Sequence, residues 1–394
     1  MQSRREGEDR GRARRKSKAR QRMEGYCMLY TDYFADDPLH NDVIFRRRFR
    51  MSRKLFLKIA EYLRDCDDYF KLKRDAIGTL GFTSIQKCTV SLRLLAYGIP
   101  ADTQDDYLRM AESTTIDCMY RFCRAIVAVF GEQYLRTPTA KDTARIMAQN
   151  AERGFPSMLG SIDCMHWSWK NCPFAHQGMY KSHKESCGVV LEAVADQDLW
   201  IWHAFFGMAG SHNDINVLQC SNVFAKLVEG TAAPVNYDIN GHVYNKGYYL
   251  ADGIYPRWST FVKTISNAPA GGARSWFAMQ QEACRKDVER AFGVLQARFA
   301  IVWYPALTWS KDQMWEVMTA CVIMHNMIIE SERECPVFDT EPYERMGPLA
   351  NVNHQVPAAF AAFLGRRQEI RDAGTHQQLQ DDLVEHLWRL RGNV

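Results

Sequence analysis

From Tyr26 to about Met147 the apolar residues recur at helical spacing. In "DVIFRRRFRMSRKLFLKIAEYLRD" they fall at Val43, Phe45, Phe49, Leu55, Phe56, Ile59 and Leu63. The stretch predicts two helices broken at Met51–Ser52, with Ser52 as N-cap of the second. "TSIQKCTVSLRLLAYG" predicts another helix stopped by Gly98, and "STTIDCMYRFCRAIVAVFG" one capped by Ser113 or Thr114 and stopped by Gly131. Short helices joined by short turns fit a helix-turn-helix module, or a plain helical domain. "TPTAKDTARIMAQNAERGFPSML" reads as a linker with a short helix, and beyond it the period changes. "SMLGSIDCMHWSW" reads as a strand, "CGVVLEAVADQDLWIWHAFFG" as two strands around a turn at Asp196–Asp198, and "GYYLADGIYP" as a strand ending at Asp252. Helices alternate with these strands. One contains "RKDVERAFGVLQARF", with Val288, Phe292, Leu295 and Phe299 on one stripe, and another is the apolar "KDQMWEVMTACVIMHNMIIESE". The expectation is an α/β domain over about 150–333, then a polar remainder with one amphipathic helix near Leu379–Leu390.

Composition sharpens this only at the N-terminus. The chain has 394 residues, is 46% hydrophobic and 24% charged, and has no apolar run long enough to cross a membrane. Its Arg-rich start lacks the apolar core of a secretory signal, so its 12 scattered cysteines are expected to be mostly reduced thiols. Net charge is +4, yet residues 1–22 carry ten Lys/Arg against three acids. The basic charge therefore lies in a tail expected to be disordered. Such a tail suits nuclear import or contact with DNA, or is simply solvated.

The candidate chemistry is carboxylate chemistry. Asp163 is placed after the first strand, Asp214 just before a helix, Asp252 at the end of a later strand and Glu289 inside a helix. Acids on separate elements matter only if the fold gathers them. Gathered, they offer the hard oxygen ligands that Mg²⁺ or Mn²⁺ prefers, as phosphodiester cleavage with two ions requires. Arg285 shares a helix face with Glu289 and can pair with it or meet a phosphate; Arg290 lies beside it. Spacing alone equally allows ordinary acids at strand ends. Cys164, His166, Cys172, His176, His183 and Cys187 also crowd together, but not at the spacing of a standard zinc finger, and no structural zinc is expected. Trp167, Trp169, Trp200 and His325 are expected in the core.

"GSIDCMHWSWKNCPFAHQGMYK", "GMAGSHNDINVLQCS", "YYLADGIYPRW", "RKDVERAFGVLQARF" and "ACVIMHNMIIE" resemble, in order, the blocks of the PIF/Harbinger transposases, most closely the plant branch and its domesticated nuclease relatives. The likeness covers about 80–335. It implies a DDE-type nuclease with an RNase H-like fold, with Asp163, Asp214 and Glu289 catalytic and Asp252 a further ligand of a divalent cation, Mg²⁺ or Mn²⁺. Related bacterial enzymes carry Y-x2-R-x3-E-x6-K around the last acid. Arg285 and Glu289 match it, whereas Glu282 and Gln296 stand at the Tyr and Lys positions. Arg285 and Arg290 remain the candidates for DNA phosphate contact. The resemblance further implies DNA as substrate, a Myb/SANT-like DNA-binding partner protein, no membrane, a nuclear location with the cytoplasm as a second one, and room for a homo-oligomer.

The expected organisation is thus a basic tail (1–25), a helix-turn-helix-like DNA- or partner-binding domain (26–147), an RNase H-like DDE nuclease domain (148–335) and a polar C-terminal tail (336–394). A domesticated, catalytically silent DNA- or chromatin-associated protein is the alternative.

Overall fold

Asn41, Ser52 and Thr83 start helices as side-chain caps, Ser52 where the sequence places it, whereas Ser113 and Thr114 lie inside their helix, which begins at Glu112 without a side-chain cap. A computed structural model describes residues 20–76, 78–181, 186–232, 235–333 and 365–392. After α1 (Arg22–Tyr33), Asn41 accepts from Ile44 N and opens α2 (Asp42–Phe49); Ser52 accepts from Leu55 N at 3.2 Å and opens α3 (Arg53–Cys66). Only Arg50, Met51 and Ser52 separate α2 from α3, and Arg50 takes a left-handed conformation to make the turn. Thr83 and Gln86 form a capping box at α4 (Ser84–Tyr97), which ends on left-handed Gly98. After α5 (Asp105–Leu108), α6 (Glu112–Tyr134) starts earlier and ends later than predicted. Gly131 does not stop it, because that turn packs against Ile323 of the last sheet-covering helix. The basic tail is also shorter than predicted. Arg20 pairs with Asp105 at 2.9 Å and α1 begins at Arg22, whereas residues 1–19 lie outside the described residues.

α7 (Ala140–Glu152) leads into a five-stranded sheet of order β3-β2-β1-β6-β7. β1 (Met158–Ser168), β2 (Gly188–Ala195) and β3 (Ile201–Ala209) are antiparallel, with α8 (Phe174–Tyr180) between β1 and β2. α9 (Asp214–Cys220), α10 (Ala225–Glu229) and the small ribbon of β4 (Tyr237–Ile239) and β5 (His242–Tyr244) lead to β6 (Tyr248–Ala251) and β7 (Phe261–Lys263). These last two strands run parallel to β1. α11 (Ala273–Arg298), α12 (Lys311–Glu332) and α13 (Ala373–Gly392) complete the chain. Between Asn213 and Gly230 the chain forms two short helices, the first capped at Ser221.

Alternation along the strands buries both faces of the sheet. Met165, Leu191 and Ala193 enter one hydrophobic cluster, while Ile162 and Val194 enter another with Leu218, Tyr255 and Phe261. The first cluster is continuous from Leu29 of α1 to Ile329 of α12. α12 is apolar on nearly every face from Val317 to Ile329, where it lies buried between α6 and β3, and its ends are exposed. Trp167, Trp169, Trp200 and His325 are buried, as their sequence surroundings suggest.

Candidate active site

Asp163 does not end its strand. It lies inside β1 opposite Ala193, and β1 continues five residues further because β2 pairs with it as far as Ser168↔Gly188. What ends near Asp163 is the other neighbour. The parallel β1–β6 ladder stops at Ser161↔Leu250, and β6 stops at Ala251. Asp252 follows the end of β6, and β6 does not pair with β1 beyond Ser161. Gly160 makes the local geometry feasible. Its φ is +145°, it sits where the ladder shifts register, and a Cβ there would stand 2.6 Å from the Ala195 carbonyl oxygen.

Ser161 brings the helical acid to the strand. Its Oγ accepts from Val288 N at 3.0 Å, docking the middle of α11 on β1 beside Asp163. Arg285 Nη1 then lies 2.8 Å from Glu289 Oε1 and 3.5 Å from Asp163 Oδ2. Arg290 pairs instead with buried Asp287, which Arg153 also holds at 2.6 Å. Asp214 is the first residue of α9, behind the Asn213 cap. Asp252 follows β6 and accepts from Ile254 N at 2.5 Å.

Electrostatics ties the four acids together. Burial pushes the Asp163 carboxyl up to about 6. The Cys164 N–H, 2.8 Å away, and Arg285 oppose that rise, and the charges of Asp214 and Glu289 add to it. Asp214 is also raised, first by burial and then by Asp252 and Glu192, against the Cys164 thiol and His166. Asp214 thus links Asp163 to Asp252. The gathering is not a closed cage: among the described residues no three His, Cys, Asp or Glu side chains stand close enough to hold one ion. Arg285 supplies the positive charge between Asp163 and Glu289. The donor set, carboxylate oxygens in mutual repulsion, is the chemistry a hard divalent cation relieves.

Glu192 belongs to this neighbourhood and escaped the sequence reading. It lies on β2 opposite Cys164, fully buried, with Oε1 3.2 Å from His203 Nε2 and no partner for Oε2 among the described residues. His203 Nε2 also lies 3.1 Å from the Oγ of Ser221, the residue that ends α9. Glu192 and His203 therefore anchor the far end of the helix that presents Asp214. A glutamate amid the eight buried residues of β2 was the available signal, since an acid is left in an apolar run only with a reason. Two of the crowded cysteines hydrogen-bond to Gln177 of α8. Cys172 O accepts from Gln177 Nε2 and Cys187 Sγ donates to Gln177 O, while His183 lies outside the described residues.

Arg285 held between Asp163 and Glu289, with Asp214 raised in part by the charge of Asp252, places the chain among α/β proteins with an acidic region beside the sheet. Comparison with known families narrows that class. The family model described as plant transposon protein matches residues 132–336, more than half of the chain, and the chain belongs to that family. A second model, for a domain of unknown function, matches residues 25–64. Among curated proteins, the chain is similar to Protein ALP1-like of Arabidopsis thaliana, 22% identical over 298 residues, 73% of this chain and 70% of that protein. It is also similar to the human and bovine proteins named "Putative nuclease HARBI1", each 23% identical over 231 residues, 57% of this chain and 61% of theirs. No solved structure matches.

Proposed function

We propose that this chain is a metal-dependent DNA nuclease of the DDE type, cutting phosphodiester bonds at the open edge of β1. The observation that carries the reading is Arg285 held between Asp163 and Glu289, with Asp163 raised to about 6 by burial and by the charges of Asp214 and Glu289, and Asp214 raised in part by Asp252. The strand order supports an RNase H-like reading, with three antiparallel strands followed by two parallel ones on the far side of β1. The name carried by the human and bovine relatives points the same way. Asp163, Asp214, Asp252 and Glu289 would hold Mg²⁺ or Mn²⁺. A bound ion of this kind polarises a phosphoryl oxygen and generates the attacking oxygen nucleophile. The chain's own residues do the rest. Arg285, paired with both Asp163 and Glu289, would be the guanidinium nearest those acids and would be placed to meet a phosphate there. Burial of Asp163 and Glu192 keeps water from screening that charge.

DNA is held elsewhere as well. α2, its three-residue turn and α3 have the form of a helix-turn-helix. They expose Arg47, Lys54 and Lys58 beside the partly paired Arg46 and Arg53. With the basic residues before Arg20, this face would grip the phosphate backbone. A Myb/SANT-like protein would add sequence recognition, and the setting would be the nucleus.

The test is a nicking assay on the purified full chain with supercoiled plasmid in Mn²⁺ or Mg²⁺. Cutting is expected with either ion and not in chelator, and is expected to be lost in Asp163→Asn, Asp252→Asn and Glu289→Gln. A silent, domesticated DNA-binding protein is the second reading, favoured by the Arg285 guanidinium already seated between Asp163 and Glu289. It prevails if the chain binds DNA and cation yet never nicks.

A further inference from the structure

Beyond Asp163, the edge of β1 is not open for long. Trp169 pairs in parallel with Ala306, through Lys170 N to Ala306 O at 3.0 Å and Ala306 N to Ser168 O at 2.8 Å. β2 occupies the opposite edge of β1 from Ser161 to Ser168, so Ala306 lies on the same edge as β6. The result is a notch in the sheet. One wall is the end of β6 with Asp252, the floor is β1 from Asp163 to Ser168, and the far wall is the loop between α11 and α12. At ~3.3 Å per strand residue, the acids and the loop are about 15–20 Å apart along the floor.

That loop is built to display aromatic rings. Its carbonyls are turned inward: Trp167 Nε1 donates to Tyr304 O at 2.8 Å, Trp169 Nε1 to Thr308 O at 2.8 Å, and Asn171 Nδ2 to Leu307 O at 2.6 Å. With the backbone fixed from beneath, the side chains are left outside. Trp303 is 67% exposed and Trp309 70%, with Tyr304 and Leu307 more than half exposed. Proteins seldom leave such a group of large apolar side chains in water unless something covers it. From Phe299 to Ser310 the loop has no charged residue, and the exposed lysines Lys170 and Lys311 flank it.

We propose that this loop is a stacking shelf for unpaired bases of the DNA strand that lies in the notch. The inference rests on reading the acid cleft as a DNA-cutting centre, and it specifies the form of the substrate: a duplex with a single-stranded or splayed flank of a few nucleotides next to the cut. Three features select this occupant. The shelf is the far wall of the notch that holds the acids, so a strand lying along the floor reaches both. Flat indole and phenol faces stack on any base, which suits a site that holds a strand without reading it. The flanking lysines offer charge to the phosphates on either side, and no acid within the loop repels them.

The experiment measures binding without cutting. The full chain, in Ca²⁺ or chelator, is titrated into a blunt duplex and into the same duplex with a single-stranded tail of about six nucleotides carrying 2-aminopurine. The wild type is expected to prefer the tailed duplex and to quench the 2-aminopurine. Trp303→Ala and Trp309→Ala are expected to weaken tailed-duplex binding roughly ten-fold each and to leave blunt-duplex binding unchanged. Trp303→Phe and Trp309→Phe are expected to retain most of the preference, which separates stacking from damage to the fold. No preference for the tail, or a preference untouched by both alanine variants, overturns the proposal. So does a change confined to self-association, which would make the shelf a protein interface. Loss of the nuclease reading looks different: a chain that never nicks DNA but keeps a tryptophan-dependent tail preference retains the shelf without the cutting.

Discussion

The turn between β2 and β3 and the cleft beside β1 both collect acids, and they treat them in opposite ways. At the turn, buried Asp196 accepts from Trp200 N at 3.0 Å, Trp202 Nε1 at 2.9 Å and Arg145 Nη2 at 3.2 Å. Asp198 beside it is shared by Arg145 and Arg333. In the cleft, Arg285 is the arginine within ion-pair reach of Asp163 and Glu289; burial raises Asp163 to about 6 and raises Asp196 as well, so the two places differ in their donors rather than in the direction of the shift. Partnered acids hold a fold together, whereas under-partnered ones raise its energy until a ligand supplies the missing charge. In the cleft two acids, Asp163 and Glu289, share one guanidinium, whereas at the turn one acid, Asp196, holds three donors.

The comparison can be broken from the structural side first. Asp196→Ala removes an acid whose partners stay buried, and it is expected to destabilise the protein by about 3–5 kcal/mol. Urea unfolding followed by tryptophan fluorescence gives the value; a drop below about 1 kcal/mol would put the turn and the cleft in the same class. From the cleft side, Mn²⁺ at about a hundred times its Kd is expected to stabilise the wild type by about 2.7 kcal/mol. That rise in Tm is expected to vanish in Asp163→Ala and to shrink in Asp214→Ala, Asp252→Ala and Glu289→Ala. Unchanged thermal shifts in all four variants would show that the acids hold no metal.

The pH dependence of the metal-free protein sharpens the same contrast at smaller scale. A carboxyl raised on folding contributes stability that is full below its unfolded pKa and is lost as pH rises through its folded pKa. For Asp163 the decline is expected between about 4 and 6, on the order of 1–3 kcal/mol. Asp163→Asn is expected to flatten that descent and to be the more stable protein at pH ~7 without metal. Stability curves at several pH values, wild type against variant, check it. The smallest effect belongs to the N-terminus. Residues 1–19 hold eight Lys/Arg. Deleting them is expected to make DNA affinity less sensitive to salt, the slope falling by about 0.9 for each phosphate no longer neutralised, with little change in folding stability. An unchanged slope in a salt titration of the truncated chain would remove the tail from the DNA-binding face.

The elements were legible because their causes are local. Ser52, Thr83 and Gly98 act within a turn of their own positions, and period-two alternation runs within each strand. The helix over Ala140–Glu152 could be seen for the same reason, through Thr139 and Asp142 at its start. The short strands β4, β5 and β7 were missed, because three residues carry too little pattern to register. Gly131 misled because packing against Ile323, far along the chain, outweighed its own propensity.

The acids themselves could be named from the sequence, since each stands beside an element end or in a recognisable block. Their assembly could not. Asp163 and Glu289 share Arg285 because Ser161 takes the N–H of Val288 across 127 positions of chain, and Asp252 follows the strand that pairs in parallel with β1. Glu192 gained its place opposite Cys164 from strand pairing. Trp167 and Trp169 went inside, as expected of them, while Trp303 and Trp309 stayed outside. Caps, periodicity and charge are short-range in sequence, so the chain determined those by itself. Proximity, exposure and the sharing of one guanidinium by two carboxylates depend on which distant segments pack together, and only the tertiary structure decided them.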